Sequence, residues 1–231
     1  MSEAATAAAV NSVEEEKKVL GVTHGKMAMW IFLGSDGMSF MGLIAAYVAL
    51  RVSHGDVWPS PNRYLGITLT AINTFVLICS SVSMVKAFEG AIANDVAKLQ
   101  RYLWMTIAGG TLFLLGQAYE YTHFFTNTHE LPDGEIFRLF LSGIWTWDGA
   151  EWVHMAGSTL FGSTFFVLTC FHGCHVFSGV VYLLTVQIGV MRGRWTVNRI
   201  EILGLYWHFV DLVWIVIFTI VYLVETHPHV A

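Results

Sequence analysis

Several side chains able to do chemistry fall inside otherwise apolar stretches of this sequence: Asp36, Glu120, His172, His175, His208 and Asp211, the thiols of Cys79, Cys170 and Cys174, and His123 near the end of its stretch. The densest group is Cys170-Phe171-His172-Gly173-Cys174-His175. Such soft and borderline ligands invite zinc, copper or haem. At about 100° per helical residue, with Cys170 at 0°, Cys174 falls near 40°, His175 near 140° and His172 near 200°. Thiols and imidazoles then point to different faces, and one helix cannot close all of them round one ion. A haem held by His172 or His175 together with His208 would need the two helices to face each other at equal depth.

The carboxyls suggest a different chemistry. Phe32, Asp36, Phe40, Leu43 and Tyr47 share one helical stripe, so Asp36 sits among aromatic and aliphatic groups. A carboxyl in such a place can keep its proton. Asp36 is therefore either a proton-linked, carbodiimide-reactive site or an acid that hydrogen-bonds inside its own subunit. Phe113, Gln117, Glu120, Tyr121 and Phe124 form a second stripe, and Trp207, His208, Asp211 and Trp214 a third. His208 and Asp211 are i and i+3, close enough to hydrogen-bond along one helix. Such faces serve helix packing more often than catalysis.

Those residues need helices in a membrane to hold them. Hydrophobic residues make up 55% of the 231 positions and charged residues 13%, where a soluble domain carries about 25% charged. Mean hydropathy is +0.58. A net charge of −5 speaks against a nucleic-acid partner, and three cysteines in apolar runs make no disulfide framework. Five stretches reach the roughly 20 apolar residues of a helical span: about 27–50, 64–86, 102–125, 157–190 and 203–224. No alternating segments of about 10 residues, as in a membrane β-barrel, are present. The expectation is an all-α bundle of five transmembrane helices over 27–231, preceded by a mobile polar tail over 1–26.

Five spans put the N-terminus on one side with Lys17, Lys18, Lys26, Lys86, Lys98, Arg101, Arg192, Arg194 and Arg199, against Arg51, Arg63 and Arg138 on the other. This bias places the N-terminus in the cytoplasm and the C-terminus outside. Trp145, Trp147 and Trp152, in the long 126–156 connection, suit a headgroup layer, where an indole has one wet edge. That connection reads as an interfacial segment with an apolar piece from Ile136 to Trp145, a quinone site there being the lesser alternative. Arg51, at the outer end of the first span, can reach a lipid phosphate or snorkel to the interface. Gly34, Gly37 and Gly42 in the first span, and Gly162, Gly173 and Gly179 in the fourth, would let helices approach closely.

Four of these segments together resemble one family. Met29-Trp30-Ile31-Phe32-Leu33-Gly34-Ser35-Asp36-Gly37-Met38-Ser39-Phe40 is similar to the "MWLFLxSExMFF" helix of haem–copper oxidase subunit III, the cytochrome c oxidase subunit 3 family. Gly116-Gln117-Ala118-Tyr119-Glu120-Tyr121 resembles its "GQxxEY", and Phe171-His172-Gly173-Cys174-His175-Val176 its "FHGxHV". The stretch from Tyr206 to Trp214 resembles its "YWHFVDxVW". The motifs occur in family order, over about residues 27–224. The resemblance implies a bundle docked on the catalytic subunit I, near a subunit II, with haem and copper in those partners and none in this chain. It also implies phospholipid held in a cleft, help with proton uptake into subunit I, and protection of that subunit from inactivation during turnover. A larger respiratory supercomplex is a further possible setting, in a bacterial inner membrane.

The chain departs from the family in two ways. Asp36 stands where the family has a carbodiimide-reactive Glu, one methylene longer. The two leading spans of the commonest seven-span members are absent, as in short bacterial forms, which leaves the lipid cleft open or walled by another subunit. Gln117, Glu120, His172, His175, His208 and Asp211 match motif positions and are expected to be structural or lipid-adjacent. Two other functions remain open on the residues alone: a related subunit of a quinol oxidase or nitric oxide reductase-like assembly, and a stand-alone haem or quinol redox protein.

Overall fold

The structure, a computed structural model, describes residues 23–55, 58, 65–126, 129–130, 136–140, 143–147, 152–154 and 158–224. Most of the expected polar tail, residues 1–22, lies outside the described residues, as do Pro132, Asp133 and Gly134.

Five long helices carry the fold: α1 (His24–Ser53), α2 (Ile67–Ile92), α3 (Val96–Thr126), α4 (Ser158–Met191) and α5 (Val197–Phe218). A single π-turn, Thr219–Leu223, ends α5. Four of the helices, α1, α2, α4 and α5 with its π-turn, are long and apolar enough to cross a membrane. The remaining one, α3, is 31 residues long, about 46 Å at 1.5 Å per residue. It is more polar, carrying Lys98, Gln100, Arg101, Gln117 and Glu120.

The helices α2, α3, α4 and α5 pack in a ring, each against the next and α5 back against α2, while α1 leans on α4 and α5. Short turns set the two hairpins of this ring. Between α2 and α3, Asn94 takes φ 55°, and the Asp95 carboxyl accepts from Lys98 N at 2.9 Å, capping α3. Between α4 and α5, Gly193 at φ +68° closes a C-terminal motif in which Arg194 N donates to Gly189 O at 2.8 Å. Thr196 then caps α5 through Arg199 N at 3.3 Å.

Indoles hold the ring together across its centre. Trp207 Nε1 donates to Ser80 Oγ at 3.1 Å, and Trp214 Nε1 to Thr74 Oγ1 at 2.9 Å, both from α5 to α2. Interhelical hydrogen bonds suit a membrane interior, where polar groups have no water to turn to. The Trp207 ring also presses on α3: a Cβ added at Gly110 would lie 2.4 Å from Trp207 Cη2. The glycines expected to do this work are only partly the right ones. Gly173 and Gly179 do face close neighbours, but Gly34 and Gly42 have nothing within 4 Å of an added Cβ. They lie on the exposed side of α1, so helix spacing alone did not identify the packed face.

A small antiparallel sheet adds to the helices. Strands β1 (His129–Glu130), β2 (Ile136–Phe140), β3 (Gly143–Trp147) and β4 (Trp152–His154) pair in that order. The apolar piece expected from Ile136 to Trp145 is thus two strands, with Ile136 opposite Trp147 and Phe140 opposite Gly143. Five-residue aromatic and β-branched runs separated by two residues are too short for helices and long enough for a hairpin. Ile144 is buried, and its N–H donates to Ser158 Oγ at 2.9 Å, fixing the sheet to the first residue of α4.

Candidate functional site

Asp36 and His175 meet between α1 and α4. His175 Nε2 lies 3.1 Å from Asp36 Oδ1, and both side chains are largely buried. The ring's other nitrogen, Nδ1, lies 2.8 Å from the carbonyl of Phe171, one turn earlier on α4. A carbonyl only accepts, so Nδ1 carries a proton. Nε2 then has two possible states. Either it accepts from a protonated Asp36, or it is itself protonated and donates to an Asp36 carboxylate. Both states hold one shared proton and no net charge, which a low-dielectric interior tolerates far better than a lone ion.

The surroundings hold that pair in place. The Phe40 ring lies 5.1 Å from the His175 ring and 4.8 Å from that of Phe171. Tyr206 on α5 donates to the carbonyl of His175 at 2.9 Å, with Ser178 Oγ 2.6 Å from the Tyr206 hydroxyl. Asp36 Oδ2 is buried and has no hydrogen-bond partner.

The other polar positions do not join this pair. His172 is fully buried, its ring stacked on Trp214 at 4.7 Å, with neither nitrogen hydrogen-bonded. Gln117 ties α3 to α4: its Nε2 donates to Thr169 O and to the Tyr121 hydroxyl, each at 3.0 Å. Gly173 makes room for it, since a Cβ there would come 2.9 Å from Gln117 Oε1. Glu120 Oε1 accepts from Thr70 Oγ1 at 3.0 Å, linking α3 to α2.

The expected bond between His208 and Asp211 is not made. His208 Nδ1 pairs with Ser81 Oγ of α2 at 2.6 Å, and both Asp211 oxygens are buried without a hydrogen bond. Side chains at i and i+3 share a side of a helix, but here α2 offers His208 a better partner. Arg51 turns inward, donating from Nη1 to Ile220 O at 3.0 Å and from Nη2 to Val224 O. These carbonyls lie at the π-turn ending α5, where a cation also suits the helix dipole.

Cys170 and Cys174 are exposed while His172 points into the core, as the helical angles require. His172, His175 and His208 each attend a different neighbour. Among the described residues no three His, Cys, Asp or Glu side chains gather as a metal ion would need. A cavity of about 250 Å³ opens where α4 turns into α5, lined by Tyr182, Thr185, Val186, Gly189, Arg194, Trp195 and Arg199.

Tyr206, Ser178, Ser81, Thr70 and Thr169 were missing from the sequence reading of the site. Tyr206, Ser81, Thr70 and Thr169 are hydroxyl partners on a neighbouring helix, which spacing within one helix cannot reveal; Ser178 lies on α4 with His175 and meets the Tyr206 hydroxyl only once α5 packs there.

A family profile described as cytochrome c oxidase subunit III matches residues 9–142 and 143–226. The chain belongs to the cytochrome c oxidase subunit III family. A cytochrome c oxidase subunit 3 of Thermostichus vulcanus is 32% identical over 223 residues, covering 92% of this chain and 96% of that one. That of Bacillus subtilis (strain 168) is 33% identical over 212 residues, 90% of each. That of Synechocystis sp. is 36% identical over 199 residues, 84% of this chain and 72% of that one. Family membership and four helices fit to span a bilayer make the chain a membrane protein of the subunit III kind.

Proposed function

We propose that the chain is the accessory subunit III of a bacterial respiratory haem–copper terminal oxidase. It sits in the inner membrane beside a catalytic subunit I and a subunit II that hold the haem and copper, and it reduces no oxygen itself. All five helices cross the membrane, with the N-terminus cytoplasmic and the C-terminus outside. The basic residues of the α2–α3 and α4–α5 turns support that direction, and the length of α3 supports a fifth span.

The observation that carries the functional part of this reading is the Asp36–His175 pair. One proton shared between Oδ1 and Nε2 shifts from one residue to the other without creating net charge. A proton arriving from the cytoplasmic side at Asp36 Oδ2, which has no hydrogen-bond partner, makes the pair a cation until a proton leaves it, so each uptake is followed by a release. Asp36 lies about 18 Å along α1 from His24, between that side and the membrane centre. In this way Asp36 keeps the role of the family's Glu: with its shorter side chain the carboxyl still meets His175, itself a position of the FHGxHV motif.

Phospholipid is the second part. The cavity at the α4–α5 turn combines Arg194 and Arg199 with Trp195 and an apolar floor, matching a phosphate headgroup above an acyl chain. Arg51, by contrast, is buried and spends its guanidinium on the carbonyls of Ile220 and Val224, so the proposed lipid site is the α4–α5 turn alone.

Purification in mild detergent with identification of every co-purifying chain tests the assignment. The expected result is a large haem-bearing subunit together with a copper-bearing subunit II. A co-purifying subunit I without copper would move the chain to a nitric oxide reductase-like assembly, and a haem band on this chain alone would end the accessory reading.

A further inference from the structure

The cavity at the α4–α5 turn lies close to the point where the N-terminal segment joins the fold. Thr23 Oγ1 donates to Asn198 Oδ1 at 3.0 Å, and Lys26 pairs with Glu201. Both contacts tie the start of α1 to the first turns of α5. The chain before Thr23 therefore begins beside Asn198, the sequence neighbour of Arg199. Arg199 and Arg194 line the cavity, with Val186 and Trp195 among their apolar neighbours there. Arg192, two positions from Arg194, is exposed. Among the described residues none of these three guanidiniums forms an ion pair. The described acids at this end are engaged elsewhere: Glu201 with Lys26, Glu89 with Lys86 and Lys98, and Asp95 with Lys98 N at the cap of α3. Cations left together on the rim of an apolar cavity favour an anionic partner.

The sequence supplies one within reach. Val13-Glu14-Glu15-Glu16 holds the longest acidic run of the chain. Glu16 precedes Thr23 by seven positions, which an extended backbone stretches to at most about 25 Å. Arg194 is four positions from Asn198, so at most about 14 Å from it. We infer that Glu14–Glu16 of the chain's own N-terminal segment dock on Arg194 and Arg199, with Val13 against the apolar side of the cavity. Exposed ion pairs are individually weak, and the short tether compensates by holding the run at high local concentration. The contact is reversible and sensitive to salt. Lys17 and Lys18, which follow the run, are drawn instead to the anionic headgroups of the same leaflet. A docked carboxylate stands where a lipid phosphate would, so the segment and anionic phospholipid exclude one another. That consequence, unlike the docking itself, rests on the cavity being a lipid site.

Photo-crosslinking in the assembled complex, in its native membrane, tests the docking. A benzophenone amino acid replaces Val13, and adducts are mapped by mass spectrometry. The expected result is an adduct within residues 182–199. Its yield should fall about threefold or more when Glu14→Gln, Glu15→Gln and Glu16→Gln are combined, with Arg194→Gln plus Arg199→Gln, or in salt of roughly 0.5 M. The Thr23 and Lys26 contacts are untouched in every variant, and an unchanged melting temperature shows that the fold is intact. A yield that no substitution alters, or adducts only to lipid or to another subunit, would overturn the inference. Native mass spectrometry of the same variants reads the exclusion. Neutralising the acidic run should raise phosphatidylglycerol retention about twofold, as for a competitor that fills the site half the time. If the adduct responds as expected while neither set of substitutions changes phosphatidylglycerol, the docking stands and the lipid reading of the cavity fails. If the arginine substitutions release phosphatidylglycerol while the adduct is indifferent to charge, lipid alone uses the cavity and the docking fails.

Discussion

His175 Nε2 and Asp36 Oδ1 stand 3.1 Å apart across the α1–α4 interface, and the imidazole's other nitrogen donates to the carbonyl of Phe171. That arrangement leaves the pair one proton to share.

The tight contact between α3 and α5 predicts unequal costs for two glycines. Gly110→Ala drives a methyl into the Trp207 ring, which Ser80 holds in place, and should destabilise the chain by about 1–3 kcal/mol. Gly173→Ala presses on the end of the Gln117 side chain rather than on a ring, so Gln117 can shift at some cost to its bonds with Thr169 O and Tyr121, and the better helix propensity of alanine, about 1 kcal/mol, offsets part of that cost. Thermal unfolding of the two variants in detergent checks this; equal losses would contradict it.

Arg51→Gln removes the charged donors from Ile220 and Val224 at the end of α5. A loss of about 1.5–3 kcal/mol is expected, typical of hydrogen bonds to charged groups. Hydrogen exchange should localise the loss to the last turns of α5. Unchanged protection there would mean that the π-turn does not depend on this arginine.

Ser81 and His208 should be energetically coupled. A double-mutant cycle with Ser81→Ala and His208→Leu is expected to give about 0.5–1.5 kcal/mol, the range for one hydrogen bond. A coupling of zero would show that the 2.6 Å contact adds nothing.

Much of this was legible in the sequence. Helical angles separated the Cys170 and Cys174 thiols from His172, and the structure places them outside and inside accordingly. Of the stripe Phe32, Asp36, Phe40, Leu43 and Tyr47, the structure buries Asp36, Phe40 and Tyr47, while Phe32 is exposed and Leu43 half-buried; Ile44 and Arg51 complete the buried face of α1. Contacts between helices were not legible. The spacing of His208 and Asp211 suggested a bond that Ser81 takes instead, and Arg51 reads as a lipid-facing cation until α5 is folded against it. Gly110 gave no signal because its reason is the Trp207 ring, far along the chain. The sheet at 129–154 was hidden by its apolar strands, which resemble an interfacial segment until paired.

Arg194→Gln with Arg199→Gln should empty the cavity at the α4–α5 turn of anionic phospholipid. At about 1 kcal/mol per basic residue, retention of phosphatidylglycerol should fall about fivefold for each change. Native mass spectrometry of the complex reads this directly, and phosphatidylcholine should be affected less. Unchanged phosphatidylglycerol retention would remove lipid from this site.

The most direct test of the account is Asp36→Asn in the assembled oxidase. An asparagine amide can still donate to His175 Nε2, so packing and assembly survive while the shared proton is lost. The account predicts normal subunit content and a normal melting temperature, with slower proton uptake and several-fold fewer turnovers before inactivation. Unchanged uptake and lifetime in a correctly assembled complex would contradict it, and would leave Asp36 as a packing residue only.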